Sequence, residues 1–290
     1  MSAIELSGRP IAITGASSGI GAATAVACAR AGMPVAVGAR RVDRLERLVE
    51  RIRSEGGRAI AIGVDVRSAE ECRAFVDRAA AEFGGLYAVY ANAGYGAEAE
   101  VVEMMGPGDG GLRDMFETNF FGSMNVVGPA LVHMLRSAGP ERGHVLFCSS
   151  CLAKMAVPYY GVYCATKAAQ NHIARAMNIE LRPRGIFVSS VHPIGTKTEF
   201  FGEVDRRAGG ARRISHTPDW FMQTPEFVAA RTLACLRRPR PEVWMGLRGW
   251  AVRTGMAMGT ATPRLTDWAL RRMSGARLAE AERAEGRAGG

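Results

Sequence analysis

Short apolar runs alternate along this chain with longer stretches in which apolar positions recur every three or four residues. The runs fall at 10–14, 34–38, 59–64, 87–91, 144–148, 186–192 and 242–245, and each reads as a strand buried on both faces. Between them, RLERLVERIRSEGG at 44–57 places Leu45, Leu48, Val49 and Ile52 on one helical face and stops at Gly56 and Gly57. SAEECRAFVDRAAAEFGG at 68–85 repeats the scheme, with Ser68 as N-cap and Glu71 completing a capping box. Strict alternation predicts an α/β fold: a doubly wound, Rossmann-like parallel sheet of about seven strands with helices on both faces. One domain over 1–246 follows, with residues 196–224, which lack a strong period, as a loop or helical flap over the sheet edge. Beyond it, 247–290 forms a basic amphipathic helical extension; TPRLTDWALRRM within it reads as one short helix, and its end as disordered.

Composition narrows the class. The 290 residues are about half hydrophobic, as in a globular protein with a full core. The net charge is +9, but residues 231–290 carry +7 of it, from 12 arginines and 5 acids. The first 230 residues are close to neutral, which argues against a general nucleic-acid surface. MSAIELSGRP shows no leader pattern, and no uncharged apolar run approaches a membrane span, so the expected compartment is the cytoplasm. The six cysteines read as buried thiols in that reducing setting, including the CSSC pair at 148–151, which ends a strand rather than opening a helix. No four-ligand metal spacing can be assembled.

Candidate chemistry begins at TGASSGIG, residues 14–21, between the first strand and a helix. Gly15, Gly19 and Gly21 with Ser17, Ser18 and Ile20 suit a loop whose backbone amides approach a pyrophosphate at a helix N-terminus; the alternative is a tight turn with no ligand. The second strand ends in VGARR at 37–41, with no carboxylate for a ribose 2′-hydroxyl. Arg40 or Arg41 can instead pair with a 2′-phosphate, which favours NADP(H) over NAD(H). YCATK at 163–167 sets Tyr163 and Lys167 one helical turn apart. An ammonium beside the phenol is expected to lower its pKa towards working pH, as a general acid/base requires. Ser150, thirteen residues earlier, ends the fifth strand, where ligands of open α/β sheets bind.

Together these motifs resemble the short-chain dehydrogenase/reductase family, in its compact single-domain branch. TGASSGIG, Asp65–Val66, NAG at 92–94, Asn119 in FETNFFG, Ser150 and YCATK occur in the family's order over roughly 8–245. The resemblance implies that Asn119, Ser150, Tyr163 and Lys167 form the catalytic tetrad. Tyr163 would exchange the proton, Ser150 hold the substrate oxygen, Lys167 bind the nicotinamide ribose, and Asn119 stabilise a helix kink and a relay water. It implies adenine contacts from Asp65 and Val66, a cofactor cleft lined by Asn92, Ala93 and Gly94, and further cofactor contacts from Pro193 and Thr198. In HPIGTKT, Ile194 stands where the family usually has glycine, which puts a backbone contact to the carboxamide in doubt.

Apolar candidates for a substrate wall are Leu152, Met155, Tyr160, Phe200 and Trp220, suiting a bulky uncharged carbonyl or alcohol. The expected function is NADP(H)-dependent interconversion of a carbonyl and a secondary alcohol. NAD-linked oxidation and a non-redox or regulatory member of the fold are the alternatives. The family also implies a homodimer or homotetramer. The basic extension could touch an anionic membrane, cover the substrate mouth or pack on a partner subunit.

Overall fold

The computed structural model describes residues 3–106, 111–200, 204 and 222–272. Seven strands form one parallel sheet in the order β3-β2-β1-β4-β5-β6-β7. They are β1 (Ile11–Thr14), β2 (Val35–Ala39), β3 (Ala59–Gly63), β4 (Ala88–Ala91), β5 (Gly143–Cys148), β6 (Ile186–His192) and β7 (Glu242–Trp244). Each matches an apolar run within a residue or two. Alternation along the strands feeds two cores. Ile11 and Ile13 join the core under α1 (Gly19–Arg30), α2 (Val42–Ser54) and α7 (Pro225–Arg237). Ala12, between them, faces the core under α3 (Ala69–Phe83), α5 (Gly122–Arg136) and α6 (Gly161–Leu181), with the short α4 (Leu112–Phe116) preceding α5.

Strand order reverses between β1 and β4, so the loops leaving these neighbours part to opposite faces and open a crevice at their C-terminal ends. Ser68 caps α3 by accepting from the Glu71 amide at 3.1 Å, as expected. The box is only half built, because the Glu71 carboxylate accepts from the Asp65 amide at 2.8 Å instead of reaching back to Ser68. That bond ties the end of the β3 loop to α3.

The base of the 196–224 segment is a closed parallel bridge between Thr196 and Gln223. Most of that segment, including Trp220, lies outside the described residues. The extension supplies α8 (Gly246–Ala261), a helix the sequence pattern did not single out, and after it residues 263–272 are helical as expected. No described helix is long and apolar enough to cross a membrane.

Candidate active site

A cavity of about 770 Å³ occupies the crevice above β1 and β4. One end is walled by Gly15, Ser17, Ser18, Gly19 and Ile20, with Arg40, Arg41, Asp65 and Val66 beside them. Asn92, Ala93 and Gly94 form its floor. The other end holds Ser150, Tyr163 and Lys167, under Pro193, Ile194, Thr198 and Phe200.

The glycine loop has its residues for two separate physical reasons. Gly15 has φ +64°, and a side chain there would meet the Ala93 backbone at 2.7 Å. Gly21 lies outside the cavity wall. Its absent side chain admits the Gly15 carbonyl, 2.5 Å from where a Cβ would sit, and the Asn92 amide at 2.6 Å. Asn92 Nδ2 then donates to the carbonyls of Thr14 and Gly15 at 3.0 and 3.2 Å, pinning the end of β1 to the end of β4. Asn92 therefore acts here as a brace behind the loop.

Arg41 points back over the loop. Its guanidinium donates to Ser17 Oγ at 2.9 Å, Ser18 Oγ at 3.0 Å and Glu199 Oε2 at 2.9 Å. Arg44, one turn further along α2, donates to the other Glu199 oxygen at 2.5 Å. Glu199 is thereby held below the usual carboxylate range by its hydrogen bonds to Arg41 and Arg44. Arg40 is exposed. Asp65 is paired with Arg67, whose hydrogen bond holds the carboxyl below its usual value.

The inner end is built on three elements. Ser150 leaves β5 and caps the 3₁₀ turn Cys151–Lys154, its Oγ accepting from the Leu152 amide at 3.1 Å. α6 carries Tyr163 and Lys167 on one face, and Tyr163 lines the same end of the cavity as Ser150. Lys167 Nζ donates to the Cys148 carbonyl at 2.7 Å and lies 5.7 Å from the Tyr163 ring centre. Asn119 is fully buried behind Gly94 in a π-helical turn, Glu117–Phe121. Its side chain donates to the Tyr95 carbonyl and accepts from the Tyr95 amide, both at 2.9 Å. The irregular turn frees the Asn119 carbonyl, which accepts from Gln170 Nε2 at 2.6 Å and Ser123 Oγ at 2.7 Å. The expected helix kink is thus a π turn, and Asn119 binds it to the β4 loop.

One electrostatic expectation is reversed. Burial, rather than the ammonium, dominates at Tyr163 and holds its phenol well above the ordinary value. Burial likewise lowers Lys167. Desolvation of the charged form is the largest cause at both groups. The cysteine expectation stands: Cys148 and Cys151 are free and buried, and burial pushes the Cys151 thiol up to about 11.

Of the apolar candidates, Leu152, Tyr160 and Phe200 line the cavity. The Phe200 ring lies 5.5 Å from that of Tyr163 and packs over Gly96. Met155 does not line it: its sulfur lies toward Gly259 of α8, because the 3₁₀ turn rotates it outward under the extension. Ile194 is buried with negative φ, so the backbone needs no glycine there, and its amide donates to Gln223 Oε1 at 3.4 Å.

His192 was not singled out by any local pattern. Its Nδ1 lies 2.9 Å from the Ser150 carbonyl and its Nε2 2.9 Å from Ser190 Oγ, while its ring stacks on Trp244 at 4.5 Å. The carbonyl can only accept, so Nδ1 carries the proton and His192 braces the backbone of Ser150. Burial pushes its pKa down to about 4, and that of His144 down to about 3. Unfolded histidine titrates near ~6.5, so below that pH the unfolded chain binds protons that the folded chain refuses. Stability is therefore expected to fall as pH drops from about 6.5 towards 4, by up to about 1.4 kcal/mol per pH unit for each histidine. Thermal melts across this window test it, with His192→Gln reducing the slope; a flat profile in the wild type would contradict it.

The residues fit a dinucleotide. The loop backbone approaches closely at Gly15, the helix N-terminus of α1 faces the cavity, and an arginine fork is held over two serines. Comparison with known proteins agrees. The family model described as short chain dehydrogenase matches residues 9–209. The A-factor type gamma-butyrolactone 1'-reductase of Streptomyces virginiae is 32% identical over 221 residues, covering 76% of this chain and 78% of that protein. The glycine betaine reductase ATRR of Emericella nidulans is 32% identical over 236 residues, but the match covers 81% of this chain and only 18% of that much longer protein. An alcohol dehydrogenase from Thermococcus sibiricus, complexed with 5-hydroxy-NADP, superposes with a TM-score of 0.69 at 28% identity, covering 81% of this chain and 94% of that one. Similar solved structures include complexes with NADP and with NAD. The chain belongs to the short-chain dehydrogenase/reductase family of oxidoreductases.

Proposed function

We propose that the protein is an NADP(H)-dependent oxidoreductase that interconverts a carbonyl and a secondary alcohol on a bulky, largely apolar substrate. The observation that carries this reading is one cavity with two chemically distinct ends: Arg41 over the glycine loop, and Ser150, Tyr163 and Lys167 together beneath Phe200.

The loop backbone with Ser17 and Ser18 would hold the pyrophosphate, and Arg41 with Arg40 the 2′-phosphate. Asp65 and Val66 would flank adenine. Asn92, Ala93, Gly94 and Lys167 would surround the nicotinamide ribose, with Pro193 and Thr198 at the carboxamide. When bound, the nicotinamide supplies or accepts the hydride. Ser150 Oγ orients the substrate oxygen, and Tyr163 Oη gives it a proton in reduction or takes one in oxidation. Leu152, Tyr160 and Phe200 shield that oxygen from water and favour an apolar substrate.

Because burial raises the Tyr163 pKa, the phenol stays protonated through neutral pH, the form a general acid needs. Reduction should therefore hold its rate across neutral and mildly alkaline pH, while oxidation, which needs the phenolate, should rise with pH. Following nicotinamide absorbance with a panel of apolar ketones and their alcohols tests this; an oxidation rate falling with pH would contradict it.

Glu199 adds a second expectation. Its carboxylate already engages Arg41 and Arg44, and competes with any other anion there. The pair is half exposed, so its contribution is at most about 1 kcal/mol. Glu199→Gln should raise NADPH affinity several-fold and leave NADH affinity unchanged; equal gains for both would refute the competition.

Exposed Phe121, Val132 and Leu135 around α5, with Ile173 and Ile179 on α6, support a homo-oligomer through these helices.

A further inference from the structure

We propose that the C-terminal extension seats the protein on an anionic lipid surface. α8 turns two different faces to its surroundings. Gly249, Val252 and Met256 pack inward, on the strand end at Trp244 and the 3₁₀ turn after Ser150, and Thr260 Oγ1 donates to the Lys154 carbonyl at 3.1 Å. The opposite stripe carries Leu247, Trp250 and Met258, which are 90%, 52% and 66% exposed. Phe227 of α7, also exposed, lies next to Gly246 and extends that stripe. The helical residues 263–272 fold back on α8 through Thr266, whose Oγ1 donates to the Gly259 carbonyl at 2.9 Å. Leu265 and Trp268 are left 64% and 58% exposed on the far side of that turn.

Charge selects the occupant. Residues 246–272 hold five arginines and one acid, Asp267. Arg253 lies over the Trp250 ring at 4.8 Å and Arg272 over the Trp268 ring at 5.5 Å. Each pair joins an amphipathic ring to a guanidinium, the combination that suits a headgroup layer: the ring enters the interface and the cation meets lipid phosphate. A second copy of the chain fits less well, because a two-fold contact would set this net positive patch against itself. Arg253 Nε also lies 3.6 Å from Glu242 Oε2, and the excess of positive charge over 246–272 favours an anionic surface over a neutral apolar partner. The extension packs on the turn that carries Leu152, so a membrane bound here lies beside the substrate end of the cavity.

The test is co-sedimentation of the full chain with vesicles of phosphatidylcholine, alone and with phosphatidylserine. Binding is expected to the mixed vesicles, at least about tenfold weaker to phosphatidylcholine alone, and weakened by salt. Trp250→Ser with Trp268→Ser, and separately Arg253→Gln with Arg272→Gln, should each lower partitioning several-fold. Unchanged NADPH binding and melting temperature would show that these surface variants are folded. Equal binding to neutral vesicles, no binding, or full binding by the folded variants would overturn the proposal. So would an analytical-ultracentrifugation dimer that Trp250→Ser dissociates, which would assign the face to a second copy.

Discussion

Tyr163→Phe is expected to lower turnover by about 10²–10⁴-fold, the usual contribution of a positioned acid/base, while NADPH affinity stays within about twofold. The substitution removes one oxygen and keeps the ring that packs against Phe200 and Tyr160. What is lost is the hydroxyl at the Ser150 end of the cavity. Stability should hardly change, because the ring stays packed and only one hydroxyl lining the cavity is removed. Steady-state kinetics with an apolar ketone, set beside a nucleotide titration, separates the two effects. A variant that keeps more than a tenth of wild-type turnover would remove Tyr163 from the chemistry.

Gly21→Val attacks the other end of the cavity without touching its wall. A Cβ at Gly21 would sit 2.5 Å from the Gly15 carbonyl and 2.6 Å from Asn92 Nδ2. Both are held: the carbonyl by the loop, the amide by its bonds to Thr14 and Gly15. The added branch must therefore part the loop from the β4 end. Overpacking of this kind costs about 1–3 kcal/mol, and the displaced loop should lose at least about tenfold in nucleotide affinity. A lower melting temperature together with weakened binding of both NADPH and NADH is expected. Normal binding with lower stability would separate Gly21 from the nucleotide site.

These two positions also show what a linear reading could reach. Gly21 and Tyr163 belong to local patterns, strand–glycine–helix and a one-turn helical pair, whose geometry follows from backbone periodicity. The seven strands were legible for the same reason. Arg44 and Glu199 were not: their contact spans 155 positions and depends on how the chain after β6 crosses back over α2. His192 was hidden in an ordinary buried strand, and its role appears only once β6 lies beside the end of β5. Met155 carried the right chemistry for a substrate wall, but a single 3₁₀ turn aims it at the extension. The sign of the Tyr163 shift was missed because spacing reports a neighbouring charge and says nothing of burial. Thr198 and Gly19 lie between these cases. The motif names both, and the fold adds that they touch, with a Cβ at Gly19 falling 3.0 Å from the Thr198 methyl.

The most direct test of the account is a fluorescence titration of the protein with NADPH and with NADH, for wild type and Arg41→Ala. Arg41 is the guanidinium held over the loop serines, so its loss should weaken NADPH by at least about tenfold, about 1.4 kcal/mol, and leave NADH nearly unchanged. Tight NADPH binding with that selective loss is the predicted result. NADH binding as well as or better than NADPH in the wild type, or an Arg41→Ala variant that weakens both alike, would contradict it.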